Sequence, residues 1–163
     1  MKTPLRILLS LALIVWLGAE IFFPIVAAIT FETLRPDTHT AGIIVGHLLR
    51  ILHGMGVVSG VVALAVLALS AAMHIVRRRA VFAPICLLFV MLGLTLYSQY
   101  GIIPAMERDR IAAGGAIDAA APSNPSREDF EALHHRSVDV EMLILLLGLT
   151  TVVLVNKEQT AKS

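Results

Sequence analysis

Glu20, Arg50, His53, Tyr97, His134 and Glu141 are polar or ionisable residues that sit within or at the edge of strongly apolar sequence, and their types admit only a few chemistries. Imidazole and carboxylate groups together suit a divalent or soft metal ion. Two histidines on facing helices could ligate a haem iron axially. A guanidinium among carboxylates makes an ion pair, and carbons on every side would force it to be internal. The spacing is not that of an enzyme: there is no nucleophile motif, no phosphate loop and no HxxxH pair on one helix face, and Ser59, Ser98 and Ser137 have no evident base beside them. No catalytic activity is expected.

The elements that must position these residues are four apolar runs, at 7–31, 42–76, 80–106 and 130–155. Each exceeds the ~20 helical residues that cross a hydrocarbon core. The chain of 163 residues is 57% hydrophobic and 15% charged, with a mean hydropathy of +0.83, far more apolar than a soluble core of this size requires. We therefore expect an all-α, integral membrane four-helix bundle. It forms one transmembrane domain over 1–163, with spans at about 5–31, 42–76, 80–106 and 130–156. The net charge of +1 gives no reason to expect nucleic acid, and Cys86, the sole cysteine, excludes an internal disulfide.

Lys2 and Arg6 ahead of Ile7–Ala19 raise the alternative of a removable signal peptide. The apolar run does not end there but continues to Phe31, and Leu17-Gly18-Ala19 is a poor small-x-small cleavage site, so the segment is expected to remain as a span. Lys2, Arg6, Arg77, Arg78, Arg79, Lys157 and Lys162 fall on one side. Arg35, Arg108, Arg110 and Arg127 fall on the other, diluted by Glu32, Asp37, Glu107, Asp109, Asp118, Glu128 and Asp129. This bias places both termini in the cytoplasm of a plasma (inner) membrane. The segment 107–129, rich in Ala, Gly, Pro and Ser after its charged start, reads as a mobile exterior loop, and Pro104 as a kink near the interface.

At 1.5 Å per residue, Glu20, Arg50 and Glu141 lie about 10, 13 and 9 Å below the exterior surface. Charges at such depth cost ~2.5 to 3.5 kcal/mol each on insertion scales, so those that persist face the bundle and find partners. The expected arrangement is an ion pair of Arg50 with Glu20, Glu141 or both, His53 and Tyr97 nearby, and His134 at the mouth. A straight-helix count separates His53 from His134 by ~18 Å in depth, which opposes a shared iron. In the second span Gly42, Gly46, Gly56 and Gly60 share an arc of about 120° with His53. Their two small-xxx-small units suit close contact with another helix or with a second copy of the chain. In the fourth span His134, Ser137, Glu141 and Gly148 form one stripe.

Four segments also carry a family likeness: Trp16 to Phe23 (WLGAEIFF), Leu52 to Gly56 (LHGMG), Leu94 to Met106 (LTLYSQYGIIPAM) and Phe130 to Ser137 (FEALHHRS). They resemble the DUF4149 domain, also called the transmembrane protein 205-like domain, over nearly the whole chain except the long loop. The resemblance implies a small four-helix membrane protein of uncharacterised role. The sequence departs from that pattern at position 141, where asparagine is more typical, and at position 20, where a small or apolar residue is.

Three functional readings follow. The bundle binds, or helps to transport, a small polar or metal ligand taken from the exterior side into the polar residues. It is a structural or assembly partner, with the glycine face as its seam. Or it binds haem.

Overall fold

The computed structural model describes residues 3–160, with side chains as far as Lys157. Lys2 and Lys162, used above for orientation, lie outside the described residues. The order is α1 (Thr3–Thr33), α2 (Thr38–Ala72), α3 (Arg78–Tyr97), a π-helical turn (Ser98–Ile102), α4 (Ile103–Ala112), a 3-10 turn (Ile117–Ala119) and α5 (Pro125–Thr160). Since α3, the π turn and α4 are continuous, there are four rods long and apolar enough to cross a membrane: Thr3–Thr33, Thr38–Ala72, Arg78–Ala112 and Pro125–Lys157. Each contains an 18-residue stretch whose mean hydropathy is 2.2 to 2.3. α1 packs on α2, α2 on α3, α3 on α5 and α5 back on α1, which closes the ring.

Burial follows helical periodicity. α1 turns Leu9, Ala12, Leu13, Trp16, Leu17 and Glu20 inward, at steps of three and four. α2 does the same with His53, Gly56, Gly60, Ala63 and Leu67. The opposite faces carry large exposed side chains such as Ile14, Phe22, Val58, Phe82, Phe89 and Val153. An apolar surface of this extent, on helices that satisfy their own backbone, is a lipid-facing surface. The protein is an integral membrane four-helix bundle.

Helix ends follow local chemistry. Asp37 caps α2, accepting hydrogen bonds from the Thr40 backbone N–H (2.9 Å) and hydroxyl (2.6 Å). Those bonds favour the ionised carboxyl and hold it below the usual carboxylate range. The cap is therefore intact above the unfolded-state value and is lost as pH falls through the lowered folded one. α2 stops at Ala72 rather than at 76, because His74 takes a left-handed backbone (φ 54°) and the chain then turns through the extended Arg77 into α3.

The expected mobile loop over 107–129 is shorter and tied down. α4 carries the helix to Ala112, and α5 begins at Pro125 rather than near 130. Between them the Thr38 hydroxyl donates to Asp118, Arg110 to the Gly115 carbonyl (3.0 Å) and Arg127 to the Ala120 carbonyl (2.9 Å). Composition alone could not reveal these long-range anchors.

The glycine face divides in two. A Cβ on Gly56 would stand 2.7 Å from Trp16 Nε1, and one on Gly60 would stand 2.7 Å from both Trp16 Cζ3 and Leu92 Cδ2. These two glycines form the notch for the Trp16 indole, which is 1% exposed. They are consumed inside the chain and cannot serve as a seam between copies. Gly42 and Gly46 have nothing within 4 Å of the same construction. Gly60→Ala should thus lower stability by ~1–3 kcal/mol through overpacking, whereas Gly46→Ala should change it little. Thermal unfolding in detergent checks this, and equal effects at both positions would refute the indole notch.

Candidate functional site

The inward stripes bring polar groups from all four rods into one layer. Glu20 lies 13 residues before the end of α1, His53 15 residues into α2 and Glu141 16 residues into α5. All three are thus about 20 to 24 Å from the loop-side helix ends. Antiparallel helices with matched positions must meet there.

His53 is the centre. It is 1% exposed, and both ring nitrogens face oxygens: Nδ1 donates to Gln99 Oε1 (2.9 Å), and Nε2 lies 2.8 Å from Glu141 Oε1. The Ser98 hydroxyl, fully buried, donates to the same Glu141 oxygen (3.1 Å). Across the layer Trp16 Nε1 donates to Glu20 Oε1 (3.1 Å), one turn along α1. Glu20 is 5% exposed and within Coulombic reach of both Glu141 and His53. Glu141 Oε2 is buried with no hydrogen-bond partner.

The π turn is where α3 supplies its share. Pro104 has no N–H to give to the carbonyl four residues back, and its ring would collide with that carbonyl in a regular helix. The chain widens just before it, with the Ile103 N–H reaching the Ser98 carbonyl five residues back. Pro104 therefore produces a widened turn rather than a simple kink. Ser98 faces α5 and Gln99 faces α2 from adjacent positions.

Three expected members are elsewhere. Arg50, one turn nearer the loops than His53, is half-buried and forms no ion pair among the described residues; it is within electrostatic reach of Glu107 instead. His53 occupies the place by Glu141 that Arg50 was expected to fill, because it lies lower on α2 at the level of both carboxylates. Tyr97 is 46% exposed, since Thr95, Ser98 and Ile102 define the inward line of their helix and leave it facing out. His134 holds the right angle on α5, but one turn beyond buried Ser137 the stripe is no longer covered, and its ring lies 6.1 Å from that of His135. Haem ligation by His53 and His134 does not fit: one ring is exposed and the other has both nitrogens engaged. Among the described residues no three His, Cys, Asp or Glu side chains are grouped to hold a metal ion.

Helix depth alone already puts Gln99 near this level; what sequence reasoning missed is Trp16 as the donor to Glu20 and Ser98 as the donor to Glu141. The sequence signal for Ser98 is Pro104, six residues downstream.

A family model described as a domain of unknown function, DUF4149, matches residues 11–111. The chain belongs to the DUF4149 family. The match takes in α1 from residue 11 onward, α2, α3, the π turn and nearly all of α4. The DUF4149 region therefore supplies Trp16, Glu20, His53, Ser98 and Gln99 to the layer, while Glu141 comes from α5, beyond the matched residues. No curated protein and no solved structure matches the chain.

The geometry yields a stability contrast. His53→Ala strips Glu141 of its partner and should cost ~3–5 kcal/mol if the acid stays ionised. Arg50→Leu should cost far less, and Glu141→Leu in the His53→Ala background should recover much of the loss. A denaturation series in detergent measures all three, and an Arg50→Leu loss as large as that of His53→Ala would contradict the assigned pairing.

Proposed function

We propose that this DUF4149 protein is a transport-associated membrane module whose buried layer receives a small ligand of cationic or hydrogen-bond-donating character from the loop side. The observation that carries the reading is the buried, unpartnered Oε2 of Glu141. The hydrogen bonds that reach the two carboxyl groups come from Trp16, His53 and Ser98 and all fall on their Oε1 atoms, which leaves Glu141 Oε2 without a donor among the described residues. A buried acceptor left unmatched costs ~1–3 kcal/mol, more if charged, so such a site favours whatever can donate to it. Ionisable groups at membrane depth commonly mark ion or substrate paths.

A structural reading has its own support in the Trp16 notch at Gly56 and Gly60 and in Gly148, where a Cβ would stand 2.2 Å from Leu17 Cδ2. Those contacts explain close helix approach but not the unmatched oxygen of Glu141. We further place both termini in the cytoplasm of the inner membrane, with the α1–α2 and α4–α5 connections outside, on the strength of Arg77, Arg78 and Arg79 in the α2–α3 turn.

Two measurements test this. In a Cys86→Ser background, Ser123→Cys should react with an impermeant thiol reagent on intact cells and Arg78→Cys should not; the reverse pattern would turn the site toward the cytoplasm. The protein in nanodiscs can then be titrated in turn with acid, potassium, manganese and methylammonium. Trp16, the one tryptophan of the chain, serves as the reporter because it is bonded to Glu20. At least one titrant should give a saturable change that Glu141→Gln alters. Silence in all four arms would remove the binding role and leave the layer as interhelical glue.

A further inference from the structure

We propose that the ligand of this layer is a proton, taken up by the carboxyl groups of Glu20 and Glu141, with Trp16 and His53 fixing which oxygens receive it. The inference rests on the reading that the layer binds something cationic, and it names that something from space, charge and atom count.

Space is the first argument. Glu20 is 5% exposed, His53 1% and Ser98 fully buried, and the Oε2 atom of Glu141 is buried although its side chain as a whole is 15% exposed. An amine or a hydrated ion needs volume among these side chains. A dehydrated metal ion needs several ligands grouped around one point, and no such group of His, Cys, Asp or Glu occurs among the described residues. A proton needs no volume.

Charge is the second. With His53 protonated and both acids ionised the layer carries one net negative charge, and one added proton makes it neutral. A neutral layer is favoured in a surrounding of hydrocarbon and apolar side chains, where an uncompensated charge is costly. The charged groups around it do not alter the count. α1 contributes Glu20, α2 contributes His53, with Arg50 one turn toward the loops, and α5 contributes Glu141, with Asp139 exposed on its outer side. α3 and the π turn contribute the neutral Ser98 and Gln99, with Tyr97 turned out. Glu107 of α4 lies within electrostatic reach of Arg50.

The third argument is which atoms are free. Trp16 donates to Oε1 of Glu20, while His53 and Ser98 both address Oε1 of Glu141. The second oxygen of Glu141 is buried and unmatched. Uptake forms one O–H bond on a carboxylate oxygen, the proton coming from water at the loop side, and no other bond is broken. The new O–H is the donor the layer lacks. It can face the other carboxylate, so that two acids share one proton as coupled groups do.

The test uses the full chain in phosphatidylcholine nanodiscs without divalent ions. Between about pH 5 and about pH 9, Trp16 emission should follow a one-proton transition. Glu141→Asp, still an acid, should keep it. Glu20→Gln should keep it with the midpoint moved by about one pH unit or more. Glu141→Gln should abolish it, and Glu32→Gln, outside the layer, should leave it unchanged. Infrared difference spectra of the wild-type protein supply a readout that no variant's folding can compromise. A protonated-carboxyl C=O band that shifts in deuterium oxide should rise on acidification. If that band and the emission change are both absent while potassium, manganese or methylammonium still moves Trp16 emission, the proton is wrong and the cation-binding reading stands. If no titrant moves it, both fall.

Discussion

His53 holds three helices at one point, and the rest of the bundle is arranged around that constraint. A fully buried imidazole must satisfy two nitrogens without water, and here one reaches Gln99 on the π turn and the other Glu141 on α5. Each partner is then committed: Gln99 must sit where only a widened turn presents it beside Ser98, and Glu141 must face inward at the depth of His53. α1 joins indirectly. Trp16 fills the notch at Gly56 and Gly60, one and two turns from His53, and so brings Glu20 to the same level. Without those glycines the indole could not approach, and α1 would be held off from α2.

Aliphatic contacts surround this layer, chiefly on the side away from the loops. Leu9, Leu13, Leu88, Met91 and Ile144 are almost fully buried. Apolar contact in lipid gives little preference between one helix register and another, because lipid chains are as apolar as leucine. Polar contacts discriminate more sharply, since a slip of one residue on α2 would withdraw both nitrogens of His53 at once. The polar layer and the glycine notch therefore specify register, while the aliphatic contacts contribute close packing.

How much of this is legible in the sequence depends on whether the property is local. The four spans are legible because length and hydropathy need no knowledge of neighbours. Glu20, His53 and Glu141 were legible as a set, since depth along a helix can be counted. Arg50, Tyr97 and His134 were misassigned because depth and angle do not tell which positions a neighbour covers. Tyr97 differs by one residue from Ser98, yet one is exposed and the other buried. The glycines divide in the same way: four share an arc, but only Gly56 and Gly60 meet Trp16. The ties of the 107–129 segment were not legible because composition shows neither that Asp118 meets Thr38, 80 residues away, nor that Arg127 reaches the Ala120 carbonyl.

Arg50 shows what the layer's composition means. Were its guanidinium among the carboxylates, five N–H donors would meet their oxygens with a positive charge that does not titrate. Instead it stands one turn away toward the loops, in the field of Glu107, and among the described residues the ion-pair partner of Glu141 is the imidazole of His53. An imidazole differs from a guanidinium in that it can lose its charge near neutral pH. A layer built from an imidazole and two carboxyl groups is one whose net charge can change by protonation, which one closed by a guanidinium could not do in the same way.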